Sequence, residues 1–229
     1  TRSLRRYFSK LSSSQIDALV DFLEKETEAS GIEERVNPFA AQTPIDIDFV
    51  VQQTMEKLKN TLPASTDWAR VETEVRDILP TYNVETHKRF RIMAYFLLDL
   101  FFDHAGCSSF FTEKPADKAN LDFIPSENGI SKVIAANHFS NIDDILVGDL
   151  ADSFGLGLGH FAAGANLMFL PKVEQIMKEL NVIKVKRSIK DEQFGRLYKH
   201  ILEKTCEVLT DCGEDFLIFP EANNRQGAR

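Results

Sequence analysis

From Lys132 onward, short apolar runs alternate with stretches whose apolar residues recur at helical spacing. The runs that predict strands are residues 133–136, 161–163, 182–185 and 216–219. The stretches that predict helices between them are residues 142–150, 172–180 and 191–209. Strands that alternate with helices are typical of an α/β layer fold with a mostly parallel sheet flanked by helices. In such a sheet, functional residues gather beyond the carboxyl ends of the strands.

The region before residue 86 has a different texture, with helical spacing and proline breaks. Three apolar stripes, within residues 16–23, 51–62 and 68–78, predict helices, and Ser12 to Ser14 supply N-cap candidates for the first. Neither a strand pattern nor a catalytic pattern is visible there. The sequence therefore predicts a helical N-terminal domain, residues 1–85, followed by an α/β domain, residues 86–229.

Composition excludes several classes of protein. The 229 residues carry a formal net charge of −8, so nucleic-acid binding would need a local basic face that the totals do not indicate. The three cysteines lack C-x-x-C spacing, which favours a reducing compartment and no metal cluster. No apolar stretch is long enough to predict a membrane-spanning helix, and no apolar segment of a signal peptide follows the basic start.

The first strand of the predicted sheet leads into His138, and Asp143 follows after four intervening residues. A histidine at a strand end, with a carboxylate about one helical turn away, is suited to general-base catalysis. Asp144 is a competing partner for the imidazole. The helix predicted to follow also offers free backbone N–H groups for a developing negative charge. The alternative is a histidine that only hydrogen-bonds its neighbours.

Two further segments follow predicted strands. In the first, Gly164 and Asn166 lie among small residues before Pro171. Small residues here would let a ligand approach the backbone closely; the alternative is an ordinary tight loop. In the second, four basic residues fall within seven positions, and a phosphate is the simplest partner for them. They are Lys184, Lys186, Arg187 and Lys190. A solvated positive face is the alternative.

The last predicted strand runs into Pro220 and then a polar loop. Glu221 could hold a substrate hydroxyl or an arginine, and Arg225 or Arg229 could bind a phosphate.

In their order and spacing, these blocks resemble those of the glycerol-3-phosphate acyltransferases, within the glycerolipid acyltransferase superfamily. The family's first block is a histidine, four residues and an aspartate, which His138 and Asp143 match. Residues 162–171 are similar to its Ala-Ala-Gly-x-Asn-Leu-x-Phe-x-Pro block, and residues 185–190 to its apolar, basic, basic, Thr, x, Lys block. Residues 219–221 match the start of its Phe-Pro-Glu block. The helical N-terminal part looks more like the soluble plastid-type enzymes.

The sequence departs from the family pattern in two places. After Glu221 the family usually continues with Gly and a Gly-Arg or Thr-Arg pair, whereas here Ala222-Asn223-Asn224 precedes Arg225, so the arginine is shifted by at least one position. The family also continues well beyond this block, so we expect the α/β domain to be truncated at its C-terminus. Such a form could be inactive or could need a partner.

The resemblance implies transfer of a fatty acyl group from acyl-CoA or acyl carrier protein to the sn-1 hydroxyl of glycerol 3-phosphate, giving lysophosphatidate for phospholipid synthesis. His138 would be the general base and Asp143 would orient it. Lys186, Arg187 and Lys190 would bind the phosphate with an arginine of the last block. The thioester is a co-substrate, and no cofactor or metal is implied.

Several alternatives remain open at this point. The acceptor could be lysophosphatidate or dihydroxyacetone phosphate, and the chain could be a catalytically inactive protein that binds lipid or acyl carrier protein. A hydrolase that uses the same basic site fits less well, since no nucleophile elbow or metal cluster is visible. The resemblance is compatible with the cytoplasm or the plastid stroma and with peripheral membrane contact.

The apolar segment 90–102 predicts a central buried helix, with the lining of an acyl-chain groove as the alternative.

Overall fold

The computed structural model describes residues 12–29, 43–101, 130–136, 159–166, 168, 170–187 and 189–219. Its helices are α1 (Ser13–Ala29), α2 (Ile47–Lys59), α3 (Trp68–Ile78), α4 (Val84–Phe101), α5 (Pro171–Glu179) and α6 (Glu192–Asp211). Its strands are β1 (Val133–Ala135), β2 (His160–Gly164), β3 (Val182–Val185) and β4 (Phe216–Ile218). The predicted α/β class is confirmed: among the described residues, the elements that precede β1 are helices, and strands alternate with helices from β2 onward. The predicted helix at 142–150 lies outside the described residues.

The four strands form one sheet in the order β1-β4-β2-β3, and every neighbouring pair is parallel. The chain steps outward from β2 through α5 to β3, then returns through α6 over β2 to β4. Because parallel crossovers are almost always right-handed, steps in opposite directions place their helices on opposite faces. The packing of α5 and α6 agrees with this expectation, since each contributes to a different apolar cluster.

The larger cluster covers the α6 face of the sheet and unites α2, α3, β3 and α6. Its buried members are Val50, Val51, Leu58, Val71, Val75, Ile78, Leu79, Ile183, Tyr198, Ile201, Val208 and Leu209. Burying one such aliphatic side chain contributes about 1.5–3 kcal/mol, so this cluster firmly joins the helical N-terminal region to the sheet. The division into domains after residue 85 stays a prediction, with the boundary falling in the first turn of α4.

The smaller cluster covers the α5 face and consists of Ala163, Met168, Leu180 and Val182. Phe90, from α4, packs against it together with side chains of α5. Ala94, one helical turn further along α4, is also buried. This part of α4 therefore agrees with the predicted central helix. The alternative, that the segment lines an acyl-chain groove, concerns the side chains from residue 95 onward, which lie outside the described residues.

Local sequence explains where most helices begin. Ser12 and Gln15 form a capping box, in which the Ser12 hydroxyl accepts from the Gln15 N–H at 3.3 Å and the Gln15 amide oxygen accepts from the Ser12 N–H at 2.8 Å. Aspartates cap α2, α3 and α6 through their side chains. The predicted start of the α4 segment at residue 90 was wrong by about two turns. The helix begins after Asn83, whose side chain caps it, and its first turns are too polar to be recognised from apolar periodicity.

Over the part of the chain that the structure describes, every helix is too short or too polar to cross a membrane.

Candidate active site

The four strands end at the same edge of the sheet, which we call the carboxyl edge. β1 ends beside β4, with Ala135 opposite Ile218, and the Ala136 N–H donates to the Ile218 carbonyl at 3.0 Å. β2 ends beside β3, with Gly164 opposite Val185. Since all four strands run in parallel, the residues that follow them begin from a common edge.

The topological switch point of this sheet lies between β2 and β4, because the chain leaves β2 toward β3 and then returns to the other side of β2. The loop after β2 leads to α5 on one face, and the loop after β3 leads to α6 on the other face. Loops that diverge in this way open a crevice beyond the sheet, where α/β proteins bind their ligands.

At the carboxyl end of β2, beside this switch point, the structure brings together three predicted site residues. A Cβ built on Gly164 would lie 2.3 Å from the Asn166 side-chain oxygen and 3.3 Å from the Arg187 Nε. The absence of a side chain at Gly164 therefore lets an amide and a guanidinium approach the end of β2 together. Both Asn166 and Arg187 are exposed, so their polar groups are accessible to a ligand.

The basic run that begins within β3 does not act as one cluster, because its members lie in two environments. The Lys184 ammonium lies 2.8 Å from an Asp77 carboxylate oxygen and 2.7 Å from one of Glu174. The Lys186 ammonium pairs with Glu74 and lies 3.1 Å from the other Asp77 oxygen. Arg187 and Lys190, in contrast, are exposed and have no ion-pair partner among the described residues. The cationic groups open to a ligand are therefore Arg187 and Lys190.

Asp77, on α3, is the centre of this network. Burial alone would raise the pKa of its carboxyl, but hydrogen bonds from Lys184 and Lys186 outweigh burial and hold the pKa below its usual range. Burial likewise lowers the pKa of the Lys186 ammonium, yet its hydrogen bonds with Glu74 and Asp77 outweigh that effect and leave the pKa raised. The pairs are therefore ionised at neutral pH.

The backbone after β3 is also fixed by α6. The Tyr198 hydroxyl donates to the Lys184 carbonyl at 3.1 Å and accepts from the Lys186 N–H at 3.1 Å. Burial is the main cause of the raised pKa of Tyr198, so this phenol is protonated and able to donate. The tyrosine ring also lies under the Lys186 ammonium, with 5.7 Å between the nitrogen and the ring centroid.

Comparison with protein families gives a match to the acyltransferase family over residues 118–229. This part of the chain is therefore similar to acyltransferase domains. It includes all four strands of the sheet and each block that follows them. The match confirms the coarser part of the resemblance, to the glycerolipid acyltransferase superfamily and its transfer of acyl groups on lipid substrates. A comparison with curated proteins gives no significant match.

Five of the predicted site residues lie outside the described residues. They are His138, Asp143, Glu221, Arg225 and Arg229. Asp144, the competing partner of His138, lies outside them as well. The roles of these residues stay predictions. Where the structure does describe the chain, His, Cys, Asp and Glu side chains form no group that could hold a metal ion.

Sequence reasoning missed the part played by the N-terminal helices. Glu74 and Asp77 lie between the apolar positions of α3, in a region where no functional pattern was visible. Their spacing of three residues places them on one side of the helix, which a sequence does reveal. The sequence gives no sign, however, that this side meets the lysines of β3, since that contact depends on tertiary packing.

Proposed function

We propose that the acyltransferase domain transfers a fatty acyl group from acyl-CoA or acyl carrier protein to the sn-1 hydroxyl of glycerol 3-phosphate. The observation that supports this most strongly is the accessible guanidinium of Arg187, beside Gly164 and Asn166 at the carboxyl end of β2. A planar cation in a crevice at the carboxyl edge suits a phosphate dianion, because it can donate two parallel hydrogen bonds.

In the proposed reaction, His138 removes the proton of the acceptor hydroxyl as its oxygen attacks the thioester carbonyl. A tetrahedral oxyanion forms and collapses, the C–S bond breaks, and the thiolate leaves with a proton that the imidazolium returns. Asp143 holds the imidazole in the required tautomer and stabilises the imidazolium, the role that a carboxylate has in a serine-protease triad. A positioned general base contributes about 10²–10⁴-fold to the rate, and alignment of the two substrates supplies much of the remainder.

The phosphate of the acceptor is bound by Arg187 and Lys190, with Asn166 as a hydrogen-bond partner and an arginine of the last block completing the site. Glu221 then holds the second hydroxyl of the acceptor. The first and last blocks leave from β1 and β4, which are neighbours, so His138 and Glu221 start from adjacent strands. The phosphate ligands start from β2 and β3.

Acceptor choice tests this proposal. With one acyl-CoA as donor, product formation is measured with glycerol 3-phosphate, glycerol, dihydroxyacetone phosphate and lysophosphatidate. The proposal predicts that glycerol 3-phosphate gives the highest kcat/KM. With glycerol, which lacks the phosphate, the rate should no longer saturate as the acceptor concentration rises. Equal kcat/KM for glycerol and glycerol 3-phosphate would contradict a phosphate site, and preference for lysophosphatidate would reassign the acceptor.

A further inference from the structure

We propose that Glu74 and Asp77 are positioning residues for the acceptor's phosphate: they anchor Lys186 to α3 and thereby direct Arg187 into the crevice beside Gly164. This inference rests on the proposed function. It gives the N-terminal helical region a part in substrate recognition, and it assigns Lys186 the role of an anchor in place of a phosphate ligand.

The anchoring of Lys186 involves both its side chain and its backbone. Its ammonium is paired with two carboxylates of α3, of which Glu74 is the more buried at 13% side-chain exposure. Its N–H is bound by the Tyr198 hydroxyl of α6. Contacts from two helices thus fix Lys186, the first residue after β3. Without these contacts, the loop could leave the strand in several directions.

Charge balance argues against direct phosphate binding by Lys186. Three carboxylates meet three ammonium groups in this network, and within it the charges cancel. The members are Glu74, Asp77, Glu174, Lys178, Lys184 and Lys186. A phosphate dianion that contacted the Lys186 ammonium would lie beside two carboxylates and would be repelled by them.

The geometry of an extended chain links the anchor to the arginine. Successive side chains at a strand end point to opposite sides. Lys186 extends toward α3, and Arg187 extends toward the end of β2, where its Nε approaches Gly164. Fixing the direction of Lys186 therefore fixes the direction of Arg187, so loss of the α3 carboxylates would free both.

The experiment compares Glu74→Gln, Asp77→Asn and the double variant with the wild-type chain. Glu72→Gln is the matched control, since it removes an exposed carboxylate of the same helix whose partner is Arg76. KM is measured separately for glycerol 3-phosphate and for acyl-CoA, with the thermal unfolding midpoint as a check on the fold. If the double variant does not fold, Glu74→Gln carries the test, because it leaves Asp77 and its lysine partners in place.

We expect the KM for glycerol 3-phosphate to rise about tenfold or more in the double variant, while the KM for acyl-CoA changes by less than about twofold. The control should match wild type in both. A fall in the KM for glycerol 3-phosphate would overturn the inference, because freeing Lys186 would then have improved a direct ligand. An unchanged KM, or an equal rise for both substrates, would overturn it as well, since a purely structural contact gives no such selectivity.

Arg187→Ala separates failure of this inference from failure of the proposed function. If Arg187→Ala leaves the KM for glycerol 3-phosphate unchanged, the proposed phosphate site is wrong. If it raises that KM while the α3 variants do not, the phosphate site stands and only the positioning role is wrong.

Discussion

The Nε of Arg187 lies 3.3 Å from the point that a Cβ on Gly164 would occupy, and the side-chain oxygen of Asn166 lies 2.3 Å from it. A methyl group at this position cannot coexist with the Asn166 side chain as it stands. The glycine therefore determines whether the two polar groups can lie together at the end of β2.

Gly164→Ala should impair acceptor binding with little effect on the fold. The atom displaced is the far end of an exposed asparagine side chain, so the protein can adjust, but Asn166 and Arg187 must move. We expect the KM for glycerol 3-phosphate to rise about tenfold, by analogy with other small misplacements of binding groups. Gly195→Ala is the control: its Cβ would meet Ile189 at 3.8 Å, an ordinary contact, and α6 should gain up to about 1 kcal/mol. Equal kinetics for both alanine variants would contradict the assigned role of Gly164.

Arg187→Ala should weaken binding of glycerol 3-phosphate more than any other single change in the described basic run. Hydrogen bonds to a charged group contribute about 1.5–3 kcal/mol, which corresponds to roughly 10–150-fold in KM. Arg187→Lys should be intermediate, because lysine keeps the charge and loses the paired geometry. Arg76→Ala, which removes an exposed arginine paired with Asp48 and Glu72, is the control and should leave the KM unchanged. A larger effect at Lys186 than at Arg187 would contradict this assignment.

Asp77 should contribute to the resistance of the fold to acid. Its pKa is lowered in the folded protein, so its ion pairs stabilise the fold fully above the ordinary aspartate pKa of about 4. That contribution is lost as the pH falls through the lower folded-state value. The free energy of unfolding, measured by urea titration between pH 6 and about 3, should fall less steeply for Asp77→Asn than for wild type. Asp48→Asn removes an exposed carboxylate and should follow the wild-type curve. Identical slopes for all three proteins would refute the prediction.

Cys206, within α6, and Cys212, directly after it, should differ in reactivity. Burial raises the pKa of the Cys206 thiol to about 11, so almost none of it is thiolate at neutral pH. Cys212, at the end of the helix, is exposed, although burial and the nearby carboxylates also raise its pKa. Alkylation by iodoacetamide at pH 8, followed by mass spectrometry, should label Cys212 well before Cys206. Faster labelling of Cys206 would mean that α6 opens in solution.

Periodicity was sufficient to predict β3 without error and the other strands to within a residue or two, because short apolar runs bounded by turns leave few alternatives. It was also sufficient to predict that the segments following the strands begin at the carboxyl edge of the sheet, because parallel strands all end at the same edge. It could not predict the strand order, in which β4 lies between β1 and β2. It also could not divide the basic run, because only packing against α3 reveals that Lys184 and Lys186 are paired while Arg187 is exposed.

The central claim is the proposal that this chain uses His138 to acylate glycerol 3-phosphate. The most direct measurement is transfer from labelled acyl-CoA and acyl carrier protein to glycerol 3-phosphate, by this chain and by its His138→Ala variant, with unfolding midpoints recorded for both. The account predicts acylated product from the parent chain with at least one donor, and a loss of about 10²–10⁴-fold in kcat for a variant that folds normally. Comparable turnover by a well-folded His138→Ala protein would contradict it.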